Sequence, residues 1–124
     1  MLRIVFATAR PKALQAFTAA LSSDSEALFK QVVSGAEALE AVRTSAPHIV
    51  IIDADLPDTA PLELVQKLLR VNAMVNTAVV SPLSDEEFHE ASEGLGILGR
   101  LPNEPGESDA AELLHKLRTV LGVG

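Results

Sequence analysis

The chain has no cysteine, no tryptophan and no tyrosine, and phenylalanine supplies its 4 aromatic side chains. Without cysteine the fold cannot depend on disulfides or thiolate-bound zinc, and a Cys nucleophile is excluded. With aromatics at 3%, a platform for stacking nucleic-acid bases is not expected. Basic side chains are also scarce: 10 Lys and Arg face 17 Asp and Glu, for a formal net charge of −7. A nonspecific grip on nucleic acid or on an anionic membrane needs clustered Lys and Arg to displace counterions, so neither partner is expected, and the acidity reads as solubility. No apolar run approaches the roughly 18 residues of a membrane span, and Met1 to Ala7 is too short an apolar stretch for a signal peptide. A cytoplasmic location is the expectation.

What is present is enough apolar material for a core. A length of 124 residues with 48% hydrophobic side chains suits one domain over residues 1–124 that needs no staples. Leu2 to Ala7 is an apolar run that breaks at Thr8-Ala9-Arg10-Pro11, as a buried parallel strand running into a turn would. Pro11 is expected to open a helix in which Leu14, Phe17 and Leu21 share one face. A second strand falls near Leu28 to Val33. Ser34-Gly35-Ala36-Glu37 has the form of a capping box, followed by a helix carrying Leu39 and Val42.

His48-Ile49-Val50-Ile51-Ile52-Asp53 is the clearest strand. Its four consecutive β-branched residues cannot alternate between core and solvent, so they imply burial on both faces. Leu62, Val65, Leu68 and Leu69 mark an amphipathic helix beginning near Pro61. Thr77 to Val80 reads as the fourth strand. Ser84-Asp85-Glu86-Glu87 is a second capping box, leading through Phe88 and Ala91 to a stop at Gly94-Leu95-Gly96. Ile97 to Leu101 gives a fifth strand, and Leu113, Leu114, Leu117, Val120 and Leu121 form the apolar face of a last helix. Five strands alternating with five helices imply an α/β fold, a doubly wound parallel sheet with right-handed crossovers and helices on both faces.

In such a sheet, reactive groups collect beyond the carboxyl ends of the strands, where the loops diverge. The residues to inspect are therefore Thr8, Ala9 and Arg10, then Asp53 to Asp58, then Ser81 to Ser84, and finally Arg100 to Asn103. No nucleophile–His–acid set or metal-ligand spacing is visible, so an enzyme is not expected. His48, His89 and His115 fall on separate elements, which argues against a shared metal or a phosphohistidine relay.

The run Ile49-Val50-Ile51-Ile52-Asp53-Ala54-Asp55-Leu56-Pro57-Asp58 resembles the response-regulator receiver family of bacterial two-component (phosphorelay) signalling, and the likeness extends over essentially the entire chain. An apolar strand ends in an Asp with a Pro four residues on, where that family places its phosphoacceptor. The resemblance implies a flavodoxin-like (βα)5 fold with strand order 2-1-3-4-5. It makes Asp53 the phosphoacceptor, Ser81 the hydroxyl that senses the phosphoryl group, and Pro102 the proline of the family's Lys-Pro pair. It also implies a signalling protein as partner, or a second copy of the chain, since receivers often dimerise through the last helix and its neighbouring strand.

The departures point to a degenerate, pseudo-receiver variant. Where the family has two acidic residues to hold Mg²⁺, a hard cation that prefers carboxylate oxygens, this chain has Thr8 and Ala9. Mg²⁺ binding is therefore doubtful and no metal site is expected, Asp53 and Asp55 with Asp58 being the weak candidates. The family's lysine aligns with Leu101, with Arg100 as the substitute if the register slips by one. Pro82 removes a backbone N–H that would reach a phosphoryl oxygen, and strand five lacks the family's switch aromatic. Arg10 could instead pair with Asp53 and hold the site neutral without phosphate. Two alternatives stay open: a receiver that is still phosphorylated on Asp53, and a flavodoxin-like domain binding an anionic ligand in the Thr8-Ala9-Arg10 loop, at the start of the first helix.

Overall fold

The computed structural model describes residues 2–122. Five strands alternate with five helices: β1 (Leu2–Ala7), α1 (Gln15–Ser22), β2 (Ala27–Val32), α2 (Gly35–Ser45), β3 (Ile49–Ile52), α3 (Pro61–Val71), β4 (Asn76–Val80), α4 (Asp85–Ala91), β5 (Gly99–Leu101) and α5 (Glu107–Leu121). All paired strands are parallel, in the order β2-β1-β3-β4-β5. The expected fold class and strand order are thus both present.

The apolar runs explain this layering. All four residues of β3 are buried, because side chains alternate and helices cover both faces. Ile49 and Ile51 join a core under α1 and α5 with Phe6, Phe17, Leu21, Leu113 and Leu117. Val50 and Ile52 join a second core under α2, α3 and α4 with Val42, Leu64, Val65, Leu68 and Phe88. Phe6 and Phe17 meet edge to face at 5.5 Å between ring centroids, a favoured aromatic geometry. An ion pair of 2.6 Å between Arg118 and Asp24 ties the end of α5 to the turn before β2.

Four local expectations need correction. Pro11 does not open α1: Pro11 to Leu14 form a turn in which the Leu14 N–H reaches the Pro11 carbonyl, and the helix begins at Gln15. Ser34 forms only half of a capping box. It accepts the Glu37 N–H, but the Glu37 carboxylate accepts from Val33 rather than from Ser34. The next two free amides, of Gly35 and Ala36, are instead taken by the Asp58 carboxylate. In α5, Leu113, Leu114 and Leu117 are buried as expected, but Val120 is 56% exposed, because Leu121, four residues after Leu117, continues the apolar stripe against the core in its place. The last strand is shorter than expected, with pairing confined to Gly99–Leu101. The capping box at Ser84 is complete, with Ser84 and Glu87 satisfying each other's amides.

These burials set the stability of α5. Leu117→Ala should cost about 3 kcal/mol, the usual range for a leucine truncated in a packed core, whereas Val120→Ser should stay within about 0.5 kcal/mol. Denaturant midpoints of the two variants measure the difference, and equal losses would contradict the placement of the helix.

Candidate functional site

Strand register brings the candidate residues together. Ala7 pairs with Ile52 across β1 and β3, so the next residue on each strand, Thr8 and Asp53, stand side by side at the carboxyl edge. Both are fully buried. A carboxylate in that position loses its hydration and must find donors within the protein. Asp53 finds four. Thr8 Oγ1 donates to Oδ2 at 2.7 Å, and the Ala54 N–H donates to Oδ1 at 2.7 Å. Arg10 contributes the other two as a fork, Nε to Oδ2 at 2.9 Å and Nη2 to Oδ1 at 2.9 Å.

The loop that carries Arg10 is shaped for this contact. The Arg10 N–H donates to Thr8 Oγ1 at 3.1 Å, so one hydroxyl both folds the loop back and contacts the carboxylate. The Arg10 Nη2 also donates to the Asn103 carbonyl at 2.7 Å, which joins the loop after β5 to the ends of β1 and β3. Charge-assisted, bidentate contacts of this type are among the strongest and most directional available to a side chain. Burial pushes the Asp53 carboxyl up, but the hydrogen bonds from Arg10, Thr8 and Ala54 outweigh it and hold the group below the ordinary carboxylate range. The hydrogen bond to Asp53 raises Arg10 in turn, against the opposing effect of burial.

The other candidates divide clearly. Ser81 is buried at the end of β4, and its Oγ accepts the Leu83 N–H at 3.2 Å. With Pro82 lacking an N–H, this part of the loop offers few free backbone donors. Leu101 points into the core beside α5. Arg100 does not substitute for the family's lysine: it donates to Asp85 at 2.7 Å and to the Ser81 carbonyl at 3.1 Å, so it binds α4 rather than Asp53. A one-residue shift on a strand reverses the side, which is why neighbours 100 and 101 diverge. Asp55 is exposed and Asp58 is committed to the start of α2. Ala9 contributes no side-chain donor, Ala54 acts through a backbone N–H that leaves no mark in a sequence, and Asn103 accepts from Arg10 through its carbonyl and, more distantly, through its side-chain Oδ1 at 3.4 Å.

The donor set does not fit Mg²⁺. A hard cation of that size wants six oxygens in near-octahedral array, yet both Asp53 oxygens are already held by N–H and O–H donors, and a guanidinium lies against them. Among the described residues, no three His, Asp or Glu side chains gather as a metal-ligand group. The helix start expected to hold an anion is displaced too, because α1 begins at Gln15, well past the Thr8-Ala9-Arg10 loop.

With this geometry in view, the fold is that of the response-regulator receiver domains. A receiver domain of a Francisella response regulator superposes with a TM-score of 0.82 at 16% identity, covering 97% of this chain and 99% of that one. The chemotaxis response regulator CheY4 of Vibrio cholerae gives 0.81 at 15% identity over 94% and 98% of the two chains. The N-terminal domain of an uncharacterized protein from Wolinella succinogenes gives 0.81 at 20% identity over 98% and 97%. No family model and no curated protein matches the sequence. Among the described residues, no helix is long and apolar enough to cross a membrane.

Removing the fork should expose the cost of burying Asp53. Arg10→Ala should destabilise the protein by about 2 kcal/mol near neutral pH, the usual worth of a hydrogen bond to a charged group, and should raise the Asp53 pKa. Since the native carboxyl sits below its unfolded value, the stability it contributes is present above about pH 4 and is lost as pH falls through the native pKa. The gap between wild type and Arg10→Ala should therefore close on acidification. Denaturation across pH measures this, and a gap independent of pH would contradict it.

Proposed function

We propose that this chain is a receiver-fold signalling module, of the two-component type, whose acceptor-position carboxylate is neutralised by Arg10 in place of a metal. It would act in the cytoplasm by binding a signalling protein or a second copy of itself, without catalysing a reaction. The observation that supports this most is the forked Arg10–Asp53 contact, closed by Thr8 and Asn103. In the receiver family, by the resemblance of the run ending at Asp53, phosphoryl transfer to that position depends on a cation beside it. Charge neutralisation is most of what such transfer requires from a protein.

Here the nearest cation is a guanidinium, and it engages both carboxylate oxygens. Asp53 attacking a phosphoryl donor would have to shed those contacts first. The same contacts supply an internal substitute for the ties that an occupied receiver site makes to surrounding loops. The module would thus present a constant surface, and regulation would come from the availability of its partner. Thr8 and Ala9, Leu101 and Pro82 fit this state, since none supplies a group that a phosphorylated aspartate would need.

Intact-mass spectrometry after incubation with Mg²⁺ and acetyl phosphate tests it. Wild type should gain no phosphoryl group under conditions that fully modify an ordinary receiver, and Asp53→Asn should behave identically. A gain of one phosphoryl group in wild type but not in Asp53→Asn would restore a phosphorylated receiver and overturn the proposal.

A further inference from the structure

A second feature lies beside Asp53 on the same edge of the sheet. The loops after β3 and β4 and the starts of α3 and α4 enclose a groove of about 350 Å³, room for more than one aliphatic side chain. Leu62, Val79, Pro82, Leu83 and Phe88 make its apolar wall, and Asp55 stands on its lining. Phe88 forms the floor, almost wholly buried, while Leu83 is 38% exposed. An apolar cleft with few, fixed polar groups is the usual form of a binding site.

The polar groups narrow the occupant. Of the amides along Ser81 to Ser84, those of Ser81, Leu83 and Ser84 are bonded within the protein and Pro82 has none, so the groove has little to offer an anion. Its charges are of the opposite kind. Asp55 lines it, and Asp85, Glu86 and Glu87 form the first turn of α4 directly after the Leu83 wall. Arg100 pairs with Asp85 and Glu87 caps the helix, while Asp55, on the groove lining, has no ion-pair or hydrogen-bond partner among the described residues. Among the described residues, no basic side chain lines the groove. Complementary potential guides association and rejects like-charged competitors.

We infer that this groove docks a basic segment of a partner protein, one that inserts an aliphatic side chain between Leu62, Leu83 and Phe88 and sets a flanking Lys or Arg against Asp55. The inference deepens the proposed binding role by naming the partner's chemistry. It does not depend on the Arg10–Asp53 contact, so a chain that proved to be phosphorylated would overturn the earlier proposal and leave this one standing.

The test uses the full chain, labelled with ¹⁵N, and a blocked heptapeptide in which two leucines are flanked by lysines, with a twin carrying glutamates instead. The lysine peptide should shift the amides of Asp55, Leu62, Leu83 and Phe88 saturably, and the glutamate twin should not. Leu83→Lys, a change at a partly exposed position that leaves the core intact, should weaken the lysine peptide by about tenfold or more, as loss of a central anchor does. Met74→Lys, at a side chain 85% exposed on the opposite edge, should leave it unchanged. Absence of saturable shifts at millimolar peptide would overturn the inference. So would equal binding of both peptides, or shifts centred on β5 and α5 that survive Leu83→Lys.

Discussion

One buried carboxylate sets the terms for the carboxyl edge of this sheet. Asp53 follows a strand of four buried β-branched residues, and the parallel pairing of β1 with β3 fixes Thr8 beside it. A charge with no water must be matched in place, because an unpaired buried carboxylate costs several kcal/mol. The fork from Arg10 meets that need and, through the Asn103 carbonyl, links the loop after β5 to the ends of the two central strands. Loops that would otherwise be independent are thereby held in one arrangement.

Much of this was legible in the sequence because parallel sheets leave strong marks. The run from Ile49 to Ile52 is too uniformly apolar and β-branched for a surface strand or a solvated helix, and Pro61 marks the start of α3 where the structure has it. Asp53 and Arg10 were legible as a pair for an electrostatic reason: a strand-end carboxylate in a chain lacking the acidic pair calls for some other cation, and Arg10 is the basic side chain nearest the end of β1. The start of α1 was not legible, since Pro11 suits a first helical turn and a tight turn equally well. Nor was the Asp58 cap, because a carboxylate reaching amides 22 and 23 positions away has no local signature. Arg100 shows the finer limit. Its alternation with Leu101 on a short edge strand decides which of the two meets the core, and a sequence alone leaves that register open.

The receiver fold does not determine what this chain does, since one fold hosts many sites. In the proposed account, function follows from the chemistry at the strand ends: a guanidinium in place of two carboxylates, a proline in place of an amide donor, a core leucine in place of a lysine. Each of these changes removes something that a phosphoryl group would need, and together they favour a module that signals by being bound. The acidic character of the chain, expressed on the groove by Asp55, would then bear on which partner it accepts.

The most direct measurement is a Mg²⁺ titration of the wild-type protein followed at the Ala54 amide, which donates to Asp53 and reports any change at its carboxylate. Only weak, unsaturable drift of that resonance is expected into tens of millimolar Mg²⁺, with the Arg10 guanidinium protons unmoved. Saturable binding at millimolar Mg²⁺ or below, accompanied by release of the Arg10 contact, would contradict it.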